Sequence, residues 1–162
     1  MEKQFMCYQK AHNGLLNVSY CGARDLLLNY LNRNRINYYS EGDHIQLYYR
    51  LHNTGFRIRQ SIFVGDYTYR CTTSIAGIPS DSAEKQLRLL SWICLENKRL
   101  GCQRFLYDYG DKQLQCVNRM SLRPRNDTVN AQYLSEKFDQ LIGQAHYLLD
   151  IEYAGFLLSV LK

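Results

Sequence analysis

Little in this sequence announces a reaction. It has no G-x-S-x-G, no G-x-x-x-x-G-K-[ST] and no G-x-G-x-x-G, so nucleophile elbows and phosphate-cradling loops have no local signature. His12, His44, His52 and His146 are scattered, and none has a second His or Glu four residues on to make a helical metal pair. The six cysteines, at positions 7, 21, 71, 94, 102 and 116, form no C-x-x-C and no zinc spacing. They are expected to be small buried or half-buried hydrophobes in a reducing compartment. No enzymatic activity, metal or cofactor is expected. The longest apolar runs, Leu89 to Leu95 and Phe156 to Leu161, fall far short of the roughly 20 residues that cross a bilayer. The opening Met1-Glu2-Lys3-Gln4-Phe5 has no signal-peptide core. A cytoplasmic protein without membrane association is expected, and the triplets Asn17-Val18-Ser19 and Asn126-Asp127-Thr128 are then chance matches to a glycosylation site.

What is there is the composition of a folded domain. The chain has 162 residues, 46% of them hydrophobic, and only two prolines, enough for one core without disulfide staples. No repeat or low-complexity linker divides residues 1–162, although the first 19 or so have weak periodicity beyond an Asn13-Gly14 turn. The net charge of +5 is unevenly placed. Residues 98–125 carry seven Lys or Arg against Asp108 and Asp111, while residues 126–162 carry five acids against Lys137 and Lys162. Either an acidic C-terminal helix offsets a basic hairpin inside one fold, or a basic surface attracts an anionic partner.

The periodicities predict an α+β protein. Leu26, Leu27, Tyr30 and Leu31 mark a first helix over about 20–32, and Arg35 to Ser40 is a short strand before the turn Glu41-Gly42-Asp43. Three strands follow with period-two stripes: Ile45, Leu47, Tyr49, Leu51; then Phe56, Ile58, Ile62, Val64; then Tyr67, Tyr69, Cys71, Ile75. A loop His52-Asn53-Thr54-Gly55 puts Tyr49 opposite Ile58 and Ile45 opposite Ile62. A two-residue turn at Gly65-Asp66 puts Val64 opposite Tyr67 and Ile62 opposite Tyr69. Both registers gather every stripe on one face of an antiparallel meander.

A central helix over 81–99 is expected to cover that face through Ala83, Leu87, Leu90 and Cys94, flanked by Leu89 and Ile93. Asp81 with Glu84 would cap its start, and Gly101 in a left-handed conformation would end it. Trp92 would seal an edge. A second hairpin turns at Gly110-Asp111, with Phe105, Tyr107, Tyr109, Leu114 and Cys116 on one face and Arg104, Asp108, Gln113, Gln115 and Arg119 on the other. A long C-terminal helix begins near Asn130 with Leu134, Phe138, Leu141, Ala145 and Leu148 in register, and an interruption at Asp150-Ile151-Glu152 leaves a short terminal helix.

The order helix, strands, helix, hairpin, helix over roughly 20–161 resembles the YbjN-like proteins of bacteria, whose domain has the fold of type III secretion chaperones. The most similar piece is Leu89 to Asp108: a helix ending in Asn97 near Gly101, then a strand running to an aromatic-Asp turn at Asp108. The resemblance implies a non-enzymatic binding or regulatory module that works on another protein or peptide, as a monomer or a homodimer.

The residues themselves single out one surface. With the registers above, Tyr48, Arg50, Arg57, Arg59, Phe63 and Arg70 point away from the stripes together, with Arg50 opposite Arg57. Like charges side by side are unfavourable unless compensated. Three explanations stand: acids of the C-terminal helix, such as Glu136 and Asp139, cover the face; it captures an acidic or extended peptide; or it binds single-stranded nucleic acid, with Tyr48 or Phe63 stacking on a base.

Overall fold

The computed structural model describes residues 15–17, 22–75, 82–122 and 128–162. In chain order these form β1 (Leu15–Asn17), α1 (Ala23–Arg33), β2 (Tyr39–Glu41), β3 (His44–Arg50), β4 (Arg57–Val64), β5 (Thr68–Ile75), α2 (Ala83–Arg99), β6 (Arg104–Asp108), β7 (Gln113–Ser121), β8 (Thr128–Asn130), α3 (Ala131–Tyr147), a π-helical turn (Leu148–Glu152) and α4 (Ala154–Leu161). Strands β2 to β7 make one antiparallel sheet in the order β2-β3-β4-β5-β7-β6, and β1 pairs with β8 apart from it. The predicted α+β arrangement of meander, second hairpin and packing helices is the observed one.

The meander forms because its alternation leaves one choice of face. Tyr49 pairs with Ile58 and Ile45 with Ile62, as the four-residue loop requires, and Gly55 at φ +70° takes its left-handed position. The next turn differs from expectation. Asp66 and Tyr67 form it, with the Gly65 N–H donating to the Thr68 carbonyl at 2.8 Å and Tyr67 at φ +52°. Val64 therefore faces Tyr69 and Ile62 faces Cys71. Each partner moves by two residues, which keeps every side chain on its predicted face.

Two apolar clusters fill the covered side. Ile45, Leu47, Ile62, Val64, Tyr69 and Cys71 meet Leu26, Leu27 and Leu31 of α1 and Leu134, Phe138 and Leu141 of α3. Leu51, Phe56, Ile58 and Ile75 join Phe105, Leu114 and Cys116 with Leu89, Ile93, Leu148, Leu157 and Val160. The meander is thus covered chiefly by α1 and α3, not by α2 as expected. Helix α2 packs against β6 and α4. Its buried residues are Leu89, Ile93 and Glu96, while Leu87 is 66% exposed and Cys94 is exposed. The face is turned because Trp92 wedges between Phe105 at 4.7 Å and Phe156 at 5.0 Å, with Tyr153 at 5.1 Å, and so seals the edge.

The ends of α2 also correct the expectation. Ser82, not Asp81, caps its start by accepting from the Lys85 N–H, and Asp81 lies outside the described residues. At its end Leu100 turns extended, and Gly101 is not left-handed. The carbonyls of Leu100 and Gly101 accept from the Arg104 guanidinium instead. Cys71 and Cys116 are buried as predicted, whereas Cys102 joins Cys94 on the surface; Cys7 and Cys21 are outside the described residues.

Two side chains act as backbone partners. The Asn97 amide donates to the Phe105 carbonyl and accepts from the Phe105 N–H, both at 2.7 Å, taking the place of a neighbouring strand at the β6 edge. The Asp150 carboxylate, in the π turn that interrupts the C-terminal helix, accepts from the backbone N–H groups of His52, Asn53 and Thr54 and from the Thr54 hydroxyl. Desolvation is the largest single influence and raises its pKa, but those donors together outweigh it and hold the carboxyl below its usual range.

Two outcomes follow. Asn97→Ala should cost on the order of 1–2 kcal/mol in denaturant unfolding, because both Phe105 groups lose their partner. Asp150→Asn should cost about 1–2 kcal/mol at neutral pH. A depressed pKa contributes stability above the unfolded value near 4, lost as pH falls through the folded value, so the two proteins should converge in acid melts.

Candidate functional site

Every described helix packs on one side of the six-stranded sheet, which leaves the other side open among the described residues. Strand pairing sets this open face in rows. One row reads His44, Phe63, Arg70, Arg119 across β3, β4, β5 and β7. The next reads Gln46, Ser61, Thr72, Val117 and then Arg104 of β6. A third reads Tyr48, Arg59, Ser74, Gln115, Leu106, and at the far end Arg50 lies opposite Arg57.

The six sequence-predicted residues are all on this face and exposed. Tyr48 is 64% and Phe63 40% accessible, and Arg50, Arg57, Arg59 and Arg70 are exposed. Tyr48 donates its hydroxyl to Gln46 at 2.7 Å, and His44 lies 5.2 Å from the Phe63 ring. The observed β4–β5 register sets Arg70 beside Phe63. Pairing of β5 with β7 then adds Arg119 directly opposite Arg70, so the face holds two like-charged cross-strand pairs. His44, Phe63, Thr68, Arg70, Arg119 and Ser121 line an open groove there. Arg119 joins the others only through the non-local β5–β7 pairing that brings the hairpin to the meander, whereas His44 sits on β3 itself, in alternation with Tyr48 and opposite Phe63.

The expected cover of this face is not the one found. Asp139 of α3 accepts the Tyr30 hydroxyl on the opposite side of the sheet, and Glu136 accepts from Gln132. Arg99 pairs with Glu96 at 3.4 Å on α2, away from this face. Asp108, at the hairpin end of the face, is occupied by the Gly110 and Asp111 N–H groups and by the Gln115 amide.

The histidines are apart. His44 is on the open face, the His52 N–H serves Asp150, and His12 is outside the described residues. His146 sets its ring edge-on to Tyr49 at 4.5 Å; burial lowers its pKa, against the opposing field of Asp150. Among the described residues no three His, Cys, Asp or Glu side chains converge on a metal position, and no helix is long and apolar enough to cross a membrane.

Family profiles and curated protein sequences give no match to the chain. Solved structures do. YbjN of E. coli, a candidate transcription regulator, superposes with a TM-score of 0.60 at 15% identity, over 86% of this chain and 95% of that one. The ExsC–ExsE complex gives a TM-score of 0.50 at 15% identity, over 86% of this chain and 92% of the matched one. The fold is therefore the YbjN-like, type III secretion chaperone-like fold expected from the resemblance.

Arg70 faces Arg119 across the strands with no described carboxylate paired to either, so Arg119→Glu should raise stability by about 0.5 kcal/mol through a new cross-strand pair. Thermal melts should show that gain shrinking in about 1 M salt.

Proposed function

We propose that this protein is a non-enzymatic binding module, acting in the cytoplasm as a chaperone-like or regulatory partner of another protein, and that the open face of its sheet is the contact surface. The observation that carries this reading is the set of exposed arginines interleaved with Tyr48 and Phe63 on a face that no described helix covers. Arginine and tyrosine are enriched where protein interfaces concentrate their binding energy, and a rigid sheet presents them with the backbone already ordered, leaving only their side-chain entropy to be lost. The neighbours support the reading at the level of fold: one is a candidate regulator, and the other was crystallised in complex with a second protein.

Single-stranded nucleic acid is the second reading, favoured by the same two exposed aromatic rings among cations. A tagged pull-down from native lysate separates the two. Wild type and the Arg57→Glu/Arg59→Glu double variant are compared at low and high salt, with and without nuclease. The proposal predicts a defined protein that survives nuclease and is lost with the variant. Material that is nuclease-sensitive and leaves at high salt would assign the face to nucleic acid.

A further inference from the structure

The arginines of the open face are grouped rather than spread. Arg50, Arg57 and Arg59 form one cluster on β3 and β4, and Arg70 with Arg119 forms another on β5 and β7. Between them runs the uncharged row Gln46, Ser61, Thr72, Val117, whose short central side chains leave a shallow floor. Arg104, at the β6 end of that row, turns its guanidinium back onto the carbonyls of Leu100, Gly101 and Gln103. At about 3.3 Å per residue along a strand and 4.8 Å between strands, the cluster centres lie roughly 20 Å apart on a diagonal. That is the length of about six residues of extended chain.

Among the described residues no carboxylate is ion-paired to these arginines. Glu136, Asp139 and Asp150 are engaged on the helical side. The stretches outside the described residues hold only Glu2, Asp81 and Asp127 against Lys3, Lys10, Arg123 and Arg125, a net charge of +1 (four minus three). Two unneutralised clusters separated by a neutral floor call for a ligand whose negative charge is likewise in two groups. A nucleic-acid strand carries its charge on every nucleotide and would set phosphates over the uncharged row.

Resting on the binding reading above, we propose that the open face takes an extended acidic segment of a partner protein, with carboxylates in two groups about six residues apart seated on the two arginine clusters. Phe63 and His44 flank one seat, and Tyr48 flanks the other beside Arg59.

Fluorescence anisotropy tests it on the full chain. One labelled peptide carries two Glu pairs six residues apart across a Ser/Thr/Val spacer; a second has the same composition with the four Glu adjacent; a dT15 oligonucleotide is the third probe. The spaced peptide should bind at least tenfold tighter than the adjacent one. Either Arg50→Glu/Arg57→Glu or Arg70→Glu/Arg119→Glu should weaken it at least tenfold, with thermal melts confirming that both variants fold. Arg70→Gln/Arg119→Gln, which adds no new charge, should weaken it in the same direction. Equal affinity for the two peptides, no measurable binding of either, or tighter binding of the oligonucleotide would overturn the proposal. The pull-down distinguishes the two levels: a protein partner lost with Arg57→Glu/Arg59→Glu sustains the module even where the peptides show no spacing preference.

Discussion

The structure depends on a sheet whose described helices all pack on one face. Because the side-chain period of a strand is two, the alternating apolar stripes of β3, β4, β5 and β7 share a side, and the described helices all come to that side. The buried polar residue Gln60 shows how tightly this is held. It lies on the covered face at 0% exposure, and its amide donates to Thr73 of β5 at 3.0 Å and to the Ile142 carbonyl of α3 at 2.9 Å. A slip of either strand would strand that amide without partners, so the contact favours one register and one height for α3. The same constraint leaves the other face without helical cover among the described residues, where arginines stand side by side.

Cover alone does not fix how the C-terminal segment lies across the sheet. Asp150 supplies that link. Its carboxylate gathers three successive amides of the β3–β4 loop, a nest of donors that otherwise faces water, and the π turn places it there. Lys162 adds a second tie by donating to the Thr54 carbonyl at 2.9 Å. The widened turn is the geometric consequence: one extra residue per turn lets Leu148 and Leu149 stay buried while Asp150 reaches the loop. On the other side of α4, Glu96 is 8% exposed and takes the Tyr153 hydroxyl at 2.7 Å, which raises the tyrosine pKa through desolvation and that bond.

How much was legible in the sequence follows from the range of each interaction. Alternation and local turns are written in adjacent residues, so the meander faces, the hairpin centred on Gly110-Asp111 and the interruption at Asp150 could be read directly. The Asp66-Tyr67 turn could not, because glycine at position 65 offers a cheaper left-handed residue than Tyr67, and only the joint demands of both strands override that preference. Helix α2 was misread for a related reason: Leu87 and Cys94 keep helical spacing, but the contacts that choose its face come from Phe105, Tyr153 and Phe156, far along the chain. On the open face, local pairing gave Arg50 opposite Arg57. Arg119 opposite Arg70 required the crossover that inserts β7 beside β5, which no local pattern encodes.

That crossover ties recognition to folding. The Arg70–Arg119 seat exists only once residues separated by α2 and β6 have paired, so it is absent from any partly folded chain that retains the meander alone. A ligand spanning both seats binds the complete sheet and not the unfolded chain, and at a hundredfold its dissociation constant it would add about 2.7 kcal/mol to stability. Like-charge repulsion across two strand pairs acts in the opposite direction in the free protein. In the proposed complex, an anionic segment bridging both clusters would relieve that repulsion.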